Sequence, residues 1–220
     1  MNDSASLQIR RQSLQKKLAH YGLPAEITYL PYLDYAEVTW QPPEEAAQRM
    51  VILQTLSYLA HDLNQREGAA DWLMNEGLWE KVSSKEKIFL TKPEPYQEEL
   101  ITFSWHAEAV HTLAWALGLF DEIGPPTDTC DMEQLGQVLP VLAEPLGDFV
   151  QHQAYRPIED IFDENLFNEL ATGHFRDVSL GLHHYEGPIN PAVSYERHRV
   201  LNWLRKFSGG ETWEETHTDT

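Results

Sequence analysis

The sequence predicts an all-α protein, a single-domain bundle of about seven to nine helices with an extended segment near residues 25–42. Three observations predict it. Apolar residues recur at steps of three and four along several stretches. Helix-starting and helix-stopping residues bracket those stretches. The one stretch rich in β-forming residues is interrupted by Pro31. The domain is expected over residues 4–207 of the 220, followed by an acidic tail over 208–220.

Residues 4–21 read as a first helix, with Leu7, Leu14 and Leu18 on one side and Gly22 and Pro24 as stop signals. Residues 25–42 hold Ile27, Tyr29, Tyr32, Tyr35, Val38 and Trp40, which predicts an extended segment or at most a short strand. Pro43 then suits a first helical turn, and Glu44 and Glu45 follow where the positive end of the helix dipole favours carboxylates. That helix is expected to run to about Arg66. A short helix follows through Trp72 and Leu73 to Gly77. Ser83 and Glu86 have capping-box spacing ahead of Ile88, Phe89 and Leu90.

From Tyr96 to Leu117 the pattern is strongest. Tyr96, Leu100, Phe103, Ala107, Val110, Ala114 and Leu117 draw one stripe, while Ile101, Trp105, Ala109 and Ala116 make an opposite face apolar as well. A helix apolar on both sides belongs inside a bundle. Gly118 stops it, and Pro125 and Pro126 mark a loop. Asp131 and Gln134 have N-cap spacing for a short helix that Pro140 ends or kinks. Residues 145–180 are less regularly helical, with Pro157 starting a new element and Gly173 weakening it. After the Gly187, Pro188 and Pro191 loop, a last helix is expected over Ala192–Phe207.

The formal net charge of -19 argues against nucleic-acid partners, because an acidic surface repels phosphate and releases no counterions. The acidity is uneven: over residues 1–20 Arg10, Arg11, Lys16 and Lys17 stand against Asp3 alone, so this basic segment can dock on the acidic remainder. A single cysteine, Cys130, allows neither an intrachain disulfide nor a Cys-x-x-Cys metal knuckle. With no signal peptide pattern and no apolar run long enough to span a bilayer, a cytoplasmic protein with no membrane partner is expected.

Two charged residues stand where a solvated surface does not. Glu108 shares the angle of Ile101 and Trp115, and Arg197 lies among Val193, Val200, Leu201 and Leu204. A lone buried charge costs several kcal/mol. The two are therefore expected to form an ion pair across packed helices, with the arginine fork holding the carboxylate. Such a pair fixes helix packing, or else floors a pocket.

Ten histidines invite comparison with known metal sites. Glu108 and His111 form one Glu-x-x-His, the unit that di-iron bundles use twice. His106 and Glu108 echo a zinc-deaminase pattern whose cysteines are missing. No metal and no cofactor is expected. His183 and His184 offer a general base from a loop, although adjacent loop histidines are more often plain surface residues. Cys130, beside Asp128 and Asp131, makes a poor nucleophile.

Several ordered landmarks carry a resemblance: Trp72-Leu73 to Gly77-Leu78-Trp79, Trp105-His106-Ala107-Glu108-Ala109, Leu113-Ala114-Trp115-Ala116-Leu117-Gly118, Glu196-Arg197-His198-Arg199-Val200-Leu201-Asn202-Trp203-Leu204, and Trp213 ahead of Thr218-Asp219-Thr220. Over residues 10–220 the chain resembles the bacterial family called domain of unknown function 4272. The resemblance implies an α-helical intracellular protein and no particular chemistry. It also implies a tail that folds back on Trp213. Two functions fit these readings. One is a non-enzymatic interaction or regulatory module whose acidic surface meets another protein, with a basic partner as the expectation from its charge. The alternative is a small-molecule binder or enzyme with a pocket using Glu108, Arg197, His111 and Asn202. Neither oligomeric state nor partner is written in the residues.

Overall fold

The computed structural model describes residues 4–24, 26–28, 30–36, 38–206 and 212–218. Helices are α1 (Ser4–His20), α2 (Pro43–His61), α3 (Arg66–Asn75), α4 (Ser84–Thr91), α5 (Gln97–Ser104), α6 (His106–Ala116), α7 (Met132–Val138), α8 (Ile158–Ser179) and α9 (Pro191–Leu204). Short 3-10 turns lie at Leu30–Leu33, Leu63–Gln65 and Trp79–Lys81, and no strand occurs among the described residues. The fold is all-α, as the periodicity predicts. Of the 25–42 stretch, residues 25, 29 and 37 lie outside the described set; the remainder is irregular around the 3-10 turn.

The chain divides into two compact units whose segments interleave in sequence. The first takes Met1–Gln41, Gly124–Thr129 and Arg156–Thr220; the second takes Pro42–Ile123 and Cys130–Tyr155.

In the first unit, α1 and the turn after it pack on α8. Leu14 and Leu18 of α1, Leu33, and Phe162, Leu166 and Phe167 of α8 share one buried cluster. The basic face of α1 meets α8 as well: Arg10 Nε donates to Asp163 and Lys17 Nζ to Glu164. The expected docking of the basic first helix is therefore seen against α8. α9 packs along α8, beginning at Pro191, with Asn190 Oδ1 accepting from the Ala192 N–H at 3.0 Å as its cap. Trp213 returns to this helix, 4% exposed, its ring set edgewise on Trp203 at 5.7 Å between centroids and beneath the Arg199 guanidinium. Residues 207–211, 219 and 220, which include Phe207 at the expected helix end and Asp219 of the tail, lie outside the described residues.

In the second unit, every residue of α6 except Ala107 is buried. Met50, Leu53 and Leu56 of α2, Leu73 of α3, Phe89 of α4 and Leu113 of α6 are fully buried. Gly118 ends α6 at φ 73, a left-handed value that glycine adopts without strain; its amide bonds to Trp115 O and that of Leu119 to Ala114 O.

Three boundaries differ from the periodic pattern. α2 stops at His61 rather than near Arg66, because Asp62 turns extended (φ -135°, ψ 90°) and its carboxylate accepts from the Asn64 amide. The stretch 96–117 is two helices, broken at Ser104–Trp105. There the Ser104 hydroxyl donates to Ile101 O at 2.7 Å, a local bond that competes with the helical ladder. Residues 145–157 hold turns only, and α8 begins at Ile158 after Pro157, then runs unbroken through Gly173.

Candidate functional site

The polar residues of the first unit concentrate on the seam between α8 and α9. Apolar periodicity puts Val193, Val200, Leu201 and Leu204 into the core, and Ser194, Arg197, His198 and Asn202 are buried with them. From α8, Glu164, Asn165, Asn168 and Glu169 are buried opposite. They stand at i and i+4 in two files, 164 with 168 and 165 with 169, which is one helix face. A buried polar group needs a partner, and these partner one another.

Glu164 is the hub. Its Oε2 accepts from Lys17 Nζ at 2.6 Å. Its Oε1 accepts from Asn168 Nδ2 at 2.8 Å and lies 3.5 Å from Arg197 Nη1. Arg197 Nη1 also donates to the Gly124 carbonyl at 2.8 Å, while Ser194 Oγ donates to Asn168 Oδ1 at 3.0 Å. One carboxylate thus ties α1, α8 and α9 together.

A second cluster continues along the seam. Asn165 Nδ2 donates to Asn202 Oδ1 at 3.0 Å, and Asn202 Nδ2 donates to His198 Nε2 at 2.9 Å and to the His217 carbonyl at 3.1 Å. Because Nε2 accepts, His198 carries its proton on Nδ1. Burial, with the Arg205 charge as the smaller cause, pulls this imidazole down to about 3, so it is neutral. Beyond it, Arg205 Nη2 donates to Glu169 Oε2 at 3.2 Å, and Glu169 also accepts from the Tyr32 hydroxyl. Burial raises Glu169 and Tyr32 above their ordinary ranges and lowers Arg205. All three shifts disfavour charge, the direction that desolvation imposes.

Of the four residues predicted as a site, Arg197 and Asn202 lie in this seam. Glu108 and His111 lie on α6 in the second unit, both buried. Within that unit the Glu108 carboxylate accepts from the Cys130 backbone N–H at 2.6 Å. A separate buried ion pair there joins Arg49 Nη1 to both oxygens of Glu86 at 2.9 Å. The same Glu86 accepts from the Ser83 amide at 2.8 Å, completing the capping box.

Sequence reasoning missed Glu164 and Glu86 as partners of buried cations, and Asn168 as the side chain that holds Glu164. The one signal for Glu164 and Asn168 was their i, i+4 spacing on a helix of mixed polarity. His183 and His184 are exposed, and His184 Nε2 lies 3.0 Å from Glu186. Among the described residues no three His, Cys, Asp or Glu side chains gather as a metal would need. None of their helices is long and apolar enough to cross a membrane. The second unit also contains a cavity of ≈ 230 Å³ between α2, α6 and α7, lined by none of the four predicted residues.

A family model described as a domain of unknown function (DUF4272) matches residues 10–216. No curated protein and no solved structure matches the chain.

Proposed function

The chain belongs to the DUF4272 family, and from that premise we propose that it works as a non-enzymatic protein-interaction module with an acidic exterior. The engagement of Glu164 carries this reading. A general acid or base needs a proton-accepting atom open to substrate. Here both carboxylate oxygens of the most central acid are occupied by Lys17, Asn168 and Arg197. Asn202 likewise uses its oxygen and both amide hydrogens on neighbours. Side chains tied in this way hold helices rather than turn over a substrate.

The surface supplies the complementary half of the argument. Glu67, Asp71, Glu80, Glu94 and Glu98 are exposed, and the net charge is -19. A surface of that sign steers and selects a basic partner. The test is capture on the immobilised full chain from its native host at low salt, followed by titration of the purified partner. A basic protein whose dissociation constant rises at least tenfold between ~50 and ~300 mM salt supports the reading. No saturable partner, or one indifferent to salt, defeats it.

A further inference from the structure

The cavity of the second unit has two unlike walls. Gln54, Ser57, Tyr58 and His61 stand at i, i+3, i+4 and i+7 on α2, so one helix face lines it with polar groups. Ala107 and Val110 of α6 and Leu135, Leu139 and Leu142 from α7 and beyond supply apolar surface opposite. Gln54 is held by the Pro140 carbonyl at 3.0 Å and Ser57 by that of Ser104 at 3.4 Å. The Tyr58 hydroxyl and the His61 ring make no hydrogen bond among the described residues.

Two further observations bear on how this space can be filled. Gly136 lines the cavity from its exposed rim, inside α7 with ordinary helical backbone, and a Cβ built there would meet no atom within 4 Å. Neither backbone conformation nor packing demands glycine at that position, although glycine weakens a helix by roughly 0.5–1 kcal/mol relative to alanine. At the rim, Tyr58 and Met132 leave 46% and 53% of their surface exposed, apolar area that an occupant would cover. Methionine adapts its shape to irregular guests.

We propose that this cavity binds a small, uncharged, mainly apolar molecule bearing one hydrogen-bonding group for Tyr58 or His61. No carboxylate, lysine or arginine lines it, His61 being the one basic side chain there, and the chain's net charge of -19 opposes an anion. Size follows from comparison: an apolar cavity of about 150 Å³ takes benzene. At ≈ 230 Å³ this one accepts about two fused rings, or a branched chain of similar bulk. The inference is independent of the partner reading, because it concerns a cavity within one unit and no acidic surface.

Indole is a suitable probe, being an uncharged bicycle with one N–H donor. Calorimetric titration of the full chain is expected to give saturable binding at one site, with the Met132 methyl resonance moving as the site fills. Gly136→Leu and Ala107→Phe narrow the cavity from different walls, and at least one should weaken binding tenfold or more while circular dichroism stays unchanged. Gly136→Leu should melt no lower than the parent, since leucine favours a helix where glycine does not. Three results overturn the proposal: no saturable binding of indole, saturation without movement of the Met132 resonance, or parental affinity in both folded variants. Binding of a tryptophan-bearing helical peptide in place of indole also overturns it, and makes the cavity a seat for a partner's side chain.

Discussion

The side-chain amide of Asn202 holds the His217 carbonyl at 3.1 Å, so α9 carries the returning C-terminal segment on a buried hydrogen bond. The same residue serves Asn165 and His198, three bonds from one side chain. Truncating it strands buried donors and acceptors at about 1–3 kcal/mol each. Asn202→Ala is expected to lower stability by about 3 kcal/mol in urea unfolding. It should also speed proteolysis after Lys206 while α1 stays protected. An unchanged midpoint would contradict the seam as drawn.

Glu164 joins three helices, and removing one member of a buried charge pair costs about 3–5 kcal/mol, because the remaining charge loses its compensation. Glu164→Ala should reach that range. Glu164→Gln, which keeps shape and part of the hydrogen bonding, should fall well short of it. Lys17→Ala should cost less than about 1 kcal/mol, since the lysine is 40% exposed and solvent screens it.

Acid should destabilise the protein through His198. In the unfolded chain histidine titrates near about 6.5. In the folded protein His198 remains neutral down to about 3. Between those values the unfolded chain binds the extra proton, so stability falls as pH falls through the window, by at most about 1.4 kcal/mol per pH unit. Glu169 acts in the opposite sense, because its raised carboxyl favours the protonated folded form as pH drops. The difference between parent and His198→Gln, measured by urea unfolding from pH 7 to pH 4, isolates the imidazole: the variant should show the shallower decline.

Glu86 closes the capping box of α4 and faces Arg49, whereas Ser83 serves the box alone. Ser83→Ala should therefore cost about 1 kcal/mol, the ordinary worth of a cap. Glu86→Ala should cost about 3–5 kcal/mol, because it also leaves a buried guanidinium without its carboxylate. Equal losses in thermal melts would show that the pair with Arg49 adds nothing.

Much of this fold could be read before any coordinates. The Ser83–Glu86 box, the Pro43 helix start and the Gly118 stop are local chemistry, written within four residues of where they act, whereas Pro191, read as part of the preceding loop, is the first residue of α9. Arg197 was legible as buried because it interrupts an apolar stripe. Its neighbour Glu164 was not, because a carboxylate on a mixed helix looks solvated until the opposite helix is known. The breaks at Asp62 and Ser104–Trp105 were hidden for another reason. Periodicity counts apolar positions, and it does not see a side chain capturing a backbone group. The cavity carries no motif at all, since its lining comes from three stretches far apart in the sequence, 54–61, 107–110 and 132–142.

The pairing of α1 with α8 has a consequence for biosynthesis. Lys17 meets Glu164 across a separation of 147 residues, and the helices between them belong mostly to the other unit. A nascent chain therefore exposes the apolar edge of Leu7, Leu14 and Leu18 long before its cover is translated, while the segment from Pro42 to Tyr155 already has what it needs to condense. α1 is made well before α8 and packed only after it, a natural point for a chaperone to hold.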